Sequence, residues 1–223
     1  MNETVLDYMI KALVLFTAVP VHECAHAWAA EKMGDDTGRK QGRITLNPFA
    51  HLTLWGSLMM ILVGFGWGRP VSVDPRNFKD PKKGMVLTSL AGPASNFIMA
   101  FLAMIVYKVL VFLSINDEST IMINIAIVFK LVAFINISLA VFNFLPIPPL
   151  DGSKIFNSIL PEKLYFSIMK YEHFIFIGLI ILLYSGLLDN PLEFLRQKVY
   201  ELMDILTRWV DIIMFIVMSG GTV

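Results

Sequence analysis

Residues 5–30, 84–113 and 120–150 are each apolar over more than the roughly 20 residues that carry a helix across a bilayer. Lipid gives a backbone no hydrogen-bonding partner, so a chain with three such runs is confined to helices that satisfy their own amides. The composition agrees: 16% of residues are charged and 56% hydrophobic, with mean hydropathy +0.66, whereas a soluble domain carries about 25% charged residues. The expected fold is an all-α polytopic membrane protein. A fourth run at 174–188 is short and extends back toward Ile168. A fifth at 202–218 carries Asp204, Arg208, Trp209 and Asp211, and either spans or lies in the interface as an amphipathic helix. The run 52–65 is shorter, with Gly56, Gly64 and Gly66 in or beside it. Its length suits a re-entrant or interfacial element better than a crossing. The Gly- and Pro-punctuated stretch 66–75 reads as a loop with a short extended, β-like segment. One domain is expected over residues 1–223: a three-helix core at about 5–160, then one or two transmembrane or interfacial helices at about 168–218.

Lysine and arginine set the orientation. The loop 66–84 holds Arg69, Arg76, Lys79, Lys82 and Lys83, and the segment 151–170 holds Lys154, Lys163 and Lys170. Residues 116–120 and 189–193 hold none. The positive-inside rule places the first two on the cytoplasmic side and the last two outside, so the first span runs inward. Cell-membrane residence with a cytoplasm-facing site is the expectation. Net charge is zero with no basic block, which argues against a nucleic-acid partner. The single Cys24 excludes an intrachain disulfide framework. The first apolar run exceeds a signal-peptide core and carries a polar motif, so it should be retained.

That motif is His22-Glu23-Cys24-Ala25-His26, set in an otherwise apolar run. Ionisable groups at membrane depth are costly and are functional candidates by default. On a helix, histidines at i and i+4 share one face and can reach one zinc ion, with the glutamate between them placed as general base. The bland alternative is a pair of core histidines bonded across helices. Catalytic zinc usually takes three protein ligands, and the best third candidate is Asp151. It follows Pro146, Pro148 and Pro149, which cannot continue a regular helix. Irregular backbone at membrane depth is tolerated where it lines a cavity. Asp151 as the cap of a following helix is the competing use. For Asp151 to meet the histidines, the chain between them must cross an even number of times, which requires that 52–65 does not cross.

His22-Glu23-x-x-His26 with Asn143-x-x-Pro146-x-Pro148-x-x-Asp151-Gly152 resembles the site-2 protease family of intramembrane zinc metalloproteases. Ala91-Gly92-Pro93 with Asn96, and Gly42-Arg43-x-Thr45-x-Asn47-Pro48-x-x-His51, resemble it too, so the likeness covers roughly residues 8–160. It implies one zinc per chain bound by His22, His26 and Asp151, Glu23 as base, Asn143 near the reacting carbonyl, and a transmembrane protein as substrate. No stretch leaves room for an inserted PDZ-like or other regulatory domain, as in the family's short members. From the residues alone, Asn143 equally serves freed backbone groups around the prolines. His51 is first a supporting residue, with substitute ligand, gate or proton relay behind it. Ala91-Gly92-Pro93 with Asn96 is a close-packing point, and Cys24 lies on the far side of the helix. The competing classes are a zinc transporter or sensor and a non-cleaving, helix-binding relative.

Overall fold

The computed structural model describes residues 3–63, 66–115, 120–158, 160, 168 and 170–219. Lys163 and most of the loop 116–120, on which the orientation argument drew, lie outside them. Helix α1 (Glu3–Leu13) continues through a π-helical turn (Val14–Ala18) into α2 (Val19–Met33). Pro20 cannot donate to the carbonyl four residues back, and the wider π turn just before it absorbs that break without ending the helix. α2 stops at Gly34, whose φ of 115° only glycine adopts readily. After α3 (Thr37–Lys40) and α4 (Leu54–Val63), α5 (Pro81–Leu113) starts behind Asp80, whose carboxylate accepts from the Lys83 amide. α6 (Thr120–Asn143) ends before the prolines, and α7 (Asp151–Asn157) follows them.

Among the described residues, three helical stretches are long and apolar enough to cross a membrane: Tyr8–Met33, Pro81–Leu113 and Ile121–Asn143. α5 is the centre, with α2 on one side and α6 on the other. Ala100, Met104, Ile137, Val141 and Met203 form the buried apolar seam.

The segment around α4 does not cross. Leu52 pairs antiparallel with Gly68, and the Arg69 amide donates to His51 O at 2.6 Å, so the chain returns to where it left. Between these points α4 touches the first span where Lys11 Nζ donates to Ile61 O at 3.0 Å, and just before them the Phe49 ring stands 6.1 Å from that of Phe16. The β-like expectation for 66–75 reduces to that single bridge, with no strand among the described residues. Pro70 and Pro75 cannot donate, and the amides of Val71 and Asp74 donate to side-chain carboxylates rather than to a ladder.

The C-terminal part departs from expectation. The fourth apolar run becomes α8 (Glu172–Tyr184), roughly 20 Å long by helical rise and too short to span alone. It meets α9 (Asp189–Leu206) at 86° across a turn containing Gly186 at φ 75°, so the pair is either a broken span or a re-entrant loop. The fifth run is not one helix. Thr207 turns its hydroxyl back to Met203 O at 2.8 Å, and the chain resumes as α10 (Arg208–Met218), again too short to span. Asp204 and Asp211 converge on Lys108 of α5, at 2.9 and 2.6 Å. Leu192 and Val199 pack on the apolar seam, and Arg196 sits over the Phe134 ring. These contacts run α9 along α6 toward the Leu113 end of α5, and its start lies beside the middle of α6. The stretch 189–193 is therefore not level with Leu113. Charge counting put it there because it holds no Lys or Arg.

Candidate metal centre

α2 places His22 and His26 one turn apart, and their imidazoles meet edge to face, 4.6 Å between centroids, on the side toward α5. Their Nε2 atoms are 3.0 Å apart, and each is 3.1 Å from Asp151 Oδ2. All three residues are buried, at 6, 8 and 7% exposure. Asp151 reaches them because residues 144–150 are irregular and deliver it as the first residue of α7. Gly152 is required there, since a Cβ would run into the carbonyls of Phe144 and Leu145. The same holds across the site: a Cβ at Gly92 would strike both imidazoles. The small-residue packing point in α5 is thus where its backbone presses on the two histidines.

The hydrogen bonds behind the rings fix what the rings present. His22 Nδ1 donates to Asn96 Oδ1 at 2.7 Å, and His26 Nδ1 donates to Thr88 O at 2.7 Å. A proton on each Nδ1 leaves each Nε2 with a lone pair facing the other and facing a carboxylate oxygen. Three such atoms in buried contact repel unless a cation sits among them. Ligands about 2.0–2.1 Å from a tetrahedral zinc lie roughly 3.3 Å from one another, close to the separations here. Two imidazoles and one carboxylate, with the outer nitrogens held by second partners, suit a catalytic zinc that keeps one position open. No other group of three such side chains converges among the described residues.

His22, His26 and Asp151 border a cavity of about 540 Å³, lined among others by Glu23, Val71, Asn143, Lys154 and Phe176. Glu23 Oε2 accepts from the Val71 amide at 3.1 Å, so the chain at 66–74 holds the carboxylate in place. That chain is itself pinned. The Arg43 guanidinium bonds the carbonyls of Ala50 and Arg69, and Asp35 accepts from the Asp74 amide at 2.8 Å and from Asn77 Nδ2 at 2.7 Å. Burial opposes the Asp35 charge, but the bonds from Thr37, Asn77 and Asp74 outweigh it and hold its carboxyl below the ordinary value. Burial draws the Arg43 guanidinium below its ordinary value, against the favourable charge of Glu23.

Asn143 ends α6 on the cavity wall, and its Nδ2 donates to Leu139 O at 3.0 Å. His51 is fully buried outside the cavity lining, with Nε2 on Thr45 O at 2.8 Å. It supports the base of the re-entrant hairpin. Cys24 is part-buried and outside the cluster. Asp35 and Asn136 carried no signal in the sequence beyond their polarity, and Lys154 counted there only toward orientation. The Lys154 Nζ lies 3.6 Å from Asp151 Oδ1.

Residues 108–185, which include Asn143 and Asp151, match the model of Peptidase family M50. The chain is 35% identical over 184 residues to YwhC of Bacillus subtilis (strain 168), a zinc metalloprotease by name, covering 82% of this chain and 83% of that one. It is 28% identical over 163 residues to the zinc metalloprotease MJ0392 of Methanocaldococcus jannaschii, covering 73% of this chain and 38% of that one. The mycobacterial Rip2 of Mycolicibacterium smegmatis, also a zinc metalloprotease by name, is 30% identical over 138 residues, 59% of this chain and 50% of its own. No solved structure matches. With the paired motifs folded into one centre and a relative matched over most of both chains, the protein is a zinc metallopeptidase that belongs to peptidase family M50, the site-2 protease family.

Proposed function

We propose that this protein is an intramembrane endopeptidase. It hydrolyses peptide bonds of membrane-spanning substrates, with one zinc held by His22, His26 and Asp151 and with Glu23 as general base. The observation that carries the reading is the convergence of three buried ligand atoms on a cavity that also holds Glu23, between helices long enough to span a bilayer. Zinc bound there supplies Lewis acidity, polarising the scissile carbonyl and acidifying a neighbouring water. Glu23 takes the proton of that water as it attacks and returns it to the leaving amine. The Val71 amide holds Glu23 ready without occupying both of its oxygens. Asn143 steadies the developing oxyanion once its Nδ2 turns from Leu139 O into the cavity.

A helix hides its carbonyls in its own hydrogen bonds, so a substrate segment must unwind to be cut. Gly66, Gly68, Val71 and Val73 line the cavity, and the unwound segment pairs with those backbone groups of this stretch that are not already bonded to His51, Glu23 or Asp35. Protein in a cell membrane, with water entering from the cytoplasmic side, completes the reading. Its test is quantitative proteomics of membranes carrying wild type or Glu23→Gln. Single-span proteins should accumulate uncut in the variant. Identical proteomes, with zinc bound in both, would mean that the protein holds metal without cutting.

A further inference from the structure

Behind His22 stands a line of amides that zinc binding alone does not call for. Asn96 of α5 and Asn136 of α6 are both fully buried between apolar helices, where an unpaired amide is costly. His22 Nδ1 donates to Asn96 Oδ1 at 2.7 Å, Asn96 Nδ2 donates to Asn136 Oδ1 at 2.8 Å, and Asn136 Nδ2 donates to Val132 O at 2.9 Å. An asparagine can turn over and exchange its oxygen for its nitrogen; the other partner of the Asn96 amide, Ala18 O, stands 3.5 Å from Nδ2, at the outer limit of a hydrogen bond and too far to hold the amide against His22 by itself. The far end of the line removes that freedom. Val132 O is a carbonyl and only accepts, so Asn136 points its nitrogen there and its oxygen at Asn96. Asn96 must then give its nitrogen to Asn136 and its oxygen to His22.

We propose that Asn136, acting through Asn96, is a positioning residue that fixes the tautomer and ring direction of His22, so that its Nε2 lone pair faces His26 and Asp151. The claim rests on the zinc reading of the site. His26 has no such device because its Nδ1 partner, Thr88 O, is a backbone carbonyl and already accepts only. The relay crosses α6, α5 and α2, so the packing of all three spans reaches one ligand.

The experiment is ¹⁵N NMR of histidine-labelled, zinc-free full-length protein in micelles, paired with zinc affinity by chelator competition. Wild type should show His22 protonated on Nδ1. Asn136→Leu frees Asn96 to turn, so the Nε2-protonated form should appear and zinc affinity should fall about tenfold, the lower end for outer-shell partners. Asn136→Asp, neutral at this depth, restores both bonds, with its hydroxyl on Val132 O and its carbonyl on Asn96. It should recover the wild-type tautomer and affinity. If Asn136→Leu does not fold, Asn136→Ala carries the same prediction with less steric change. Unaltered tautomer and affinity in both, beside zinc loss in His22→Ala, overturns the relay and leaves the zinc site standing. Equal loss in Asn136→Asp and Asn136→Leu also overturns it, because packing alone would then account for the effect. Full zinc retention by His22→Ala overturns the zinc reading itself.

Discussion

Gly92→Ala adds one carbon where α5 meets the metal ligands. Built on the existing backbone, that Cβ stands 2.6 Å from His22 Cε1 and 2.5 Å from His26 Cε1, and nearer still to His26 Nε2. Ordinary carbon contacts are about 3.5–4.0 Å, so the rings or the helix must give by roughly 1 Å. Metal–ligand distances tolerate only about 0.2 Å of change, and His26 would also have to leave Thr88 O at 2.7 Å. Overpacking of this size costs about 1–3 kcal/mol, which corresponds to a roughly 5- to 150-fold loss of zinc affinity if the rings move. Chelator competition on the purified protein measures it. Should α5 yield instead, the same cost appears as a lower melting temperature with zinc retained. A Gly92→Ala protein matching wild type in both measurements would refute the claim that the α5 backbone presses on the two imidazoles.

Elemental analysis should find close to one zinc per chain, and His22→Ala, His26→Ala and Asp151→Ala should each lose most of it; His51→Ala should not. Asp35 has a depressed folded-state pKa, so its contribution is present above the unfolded carboxylate value of about 3.9 and is lost as pH falls through the folded value. Melting curves of wild type should therefore fall in acid by a component that Asp35→Asn lacks, and equal acid slopes in the two would contradict the clamp on residues 74–77. In a Cys24→Ser background, Asp80→Cys and Glu118→Cys should label from opposite sides of the membrane, the first from the cytoplasm; labelling from one side breaks the crossing count that brings Asp151 to the histidines.

The parts of the fold written in composition were readable: three spans are long apolar runs, and the shortness of 52–65, with the crossing count that Asp151 requires, kept it from being a fourth. The meeting of His22, His26 and Asp151 was readable because the two histidines stand one turn apart and the prolines before Asp151 announce a broken helix. What failed was of another kind. The run 202–218 looks continuous, yet Thr207 breaks it through a local side-chain bond, and Asp204 and Asp211 are drawn to Lys108, about a hundred residues away in the chain. The β-like stretch 66–75 has strand-compatible residues, but its amides go to Glu23 and Asp35, partners no local pattern shows. Asn136 was invisible for the same reason: its meaning comes from Asn96 and His22, on two other helices.

The central claim is that zinc at this buried site cuts a peptide bond within the membrane. Its most direct measurement is cut-site mapping by mass spectrometry, with purified protein and a single-span substrate reconstituted together in bilayer discs. Cleavage should fall inside the substrate's apolar segment, stop on zinc removal, return on zinc addition, and be absent in Glu23→Gln that still holds zinc. Cleavage confined to soluble, unstructured flanks, or persisting in Glu23→Gln, would contradict the account.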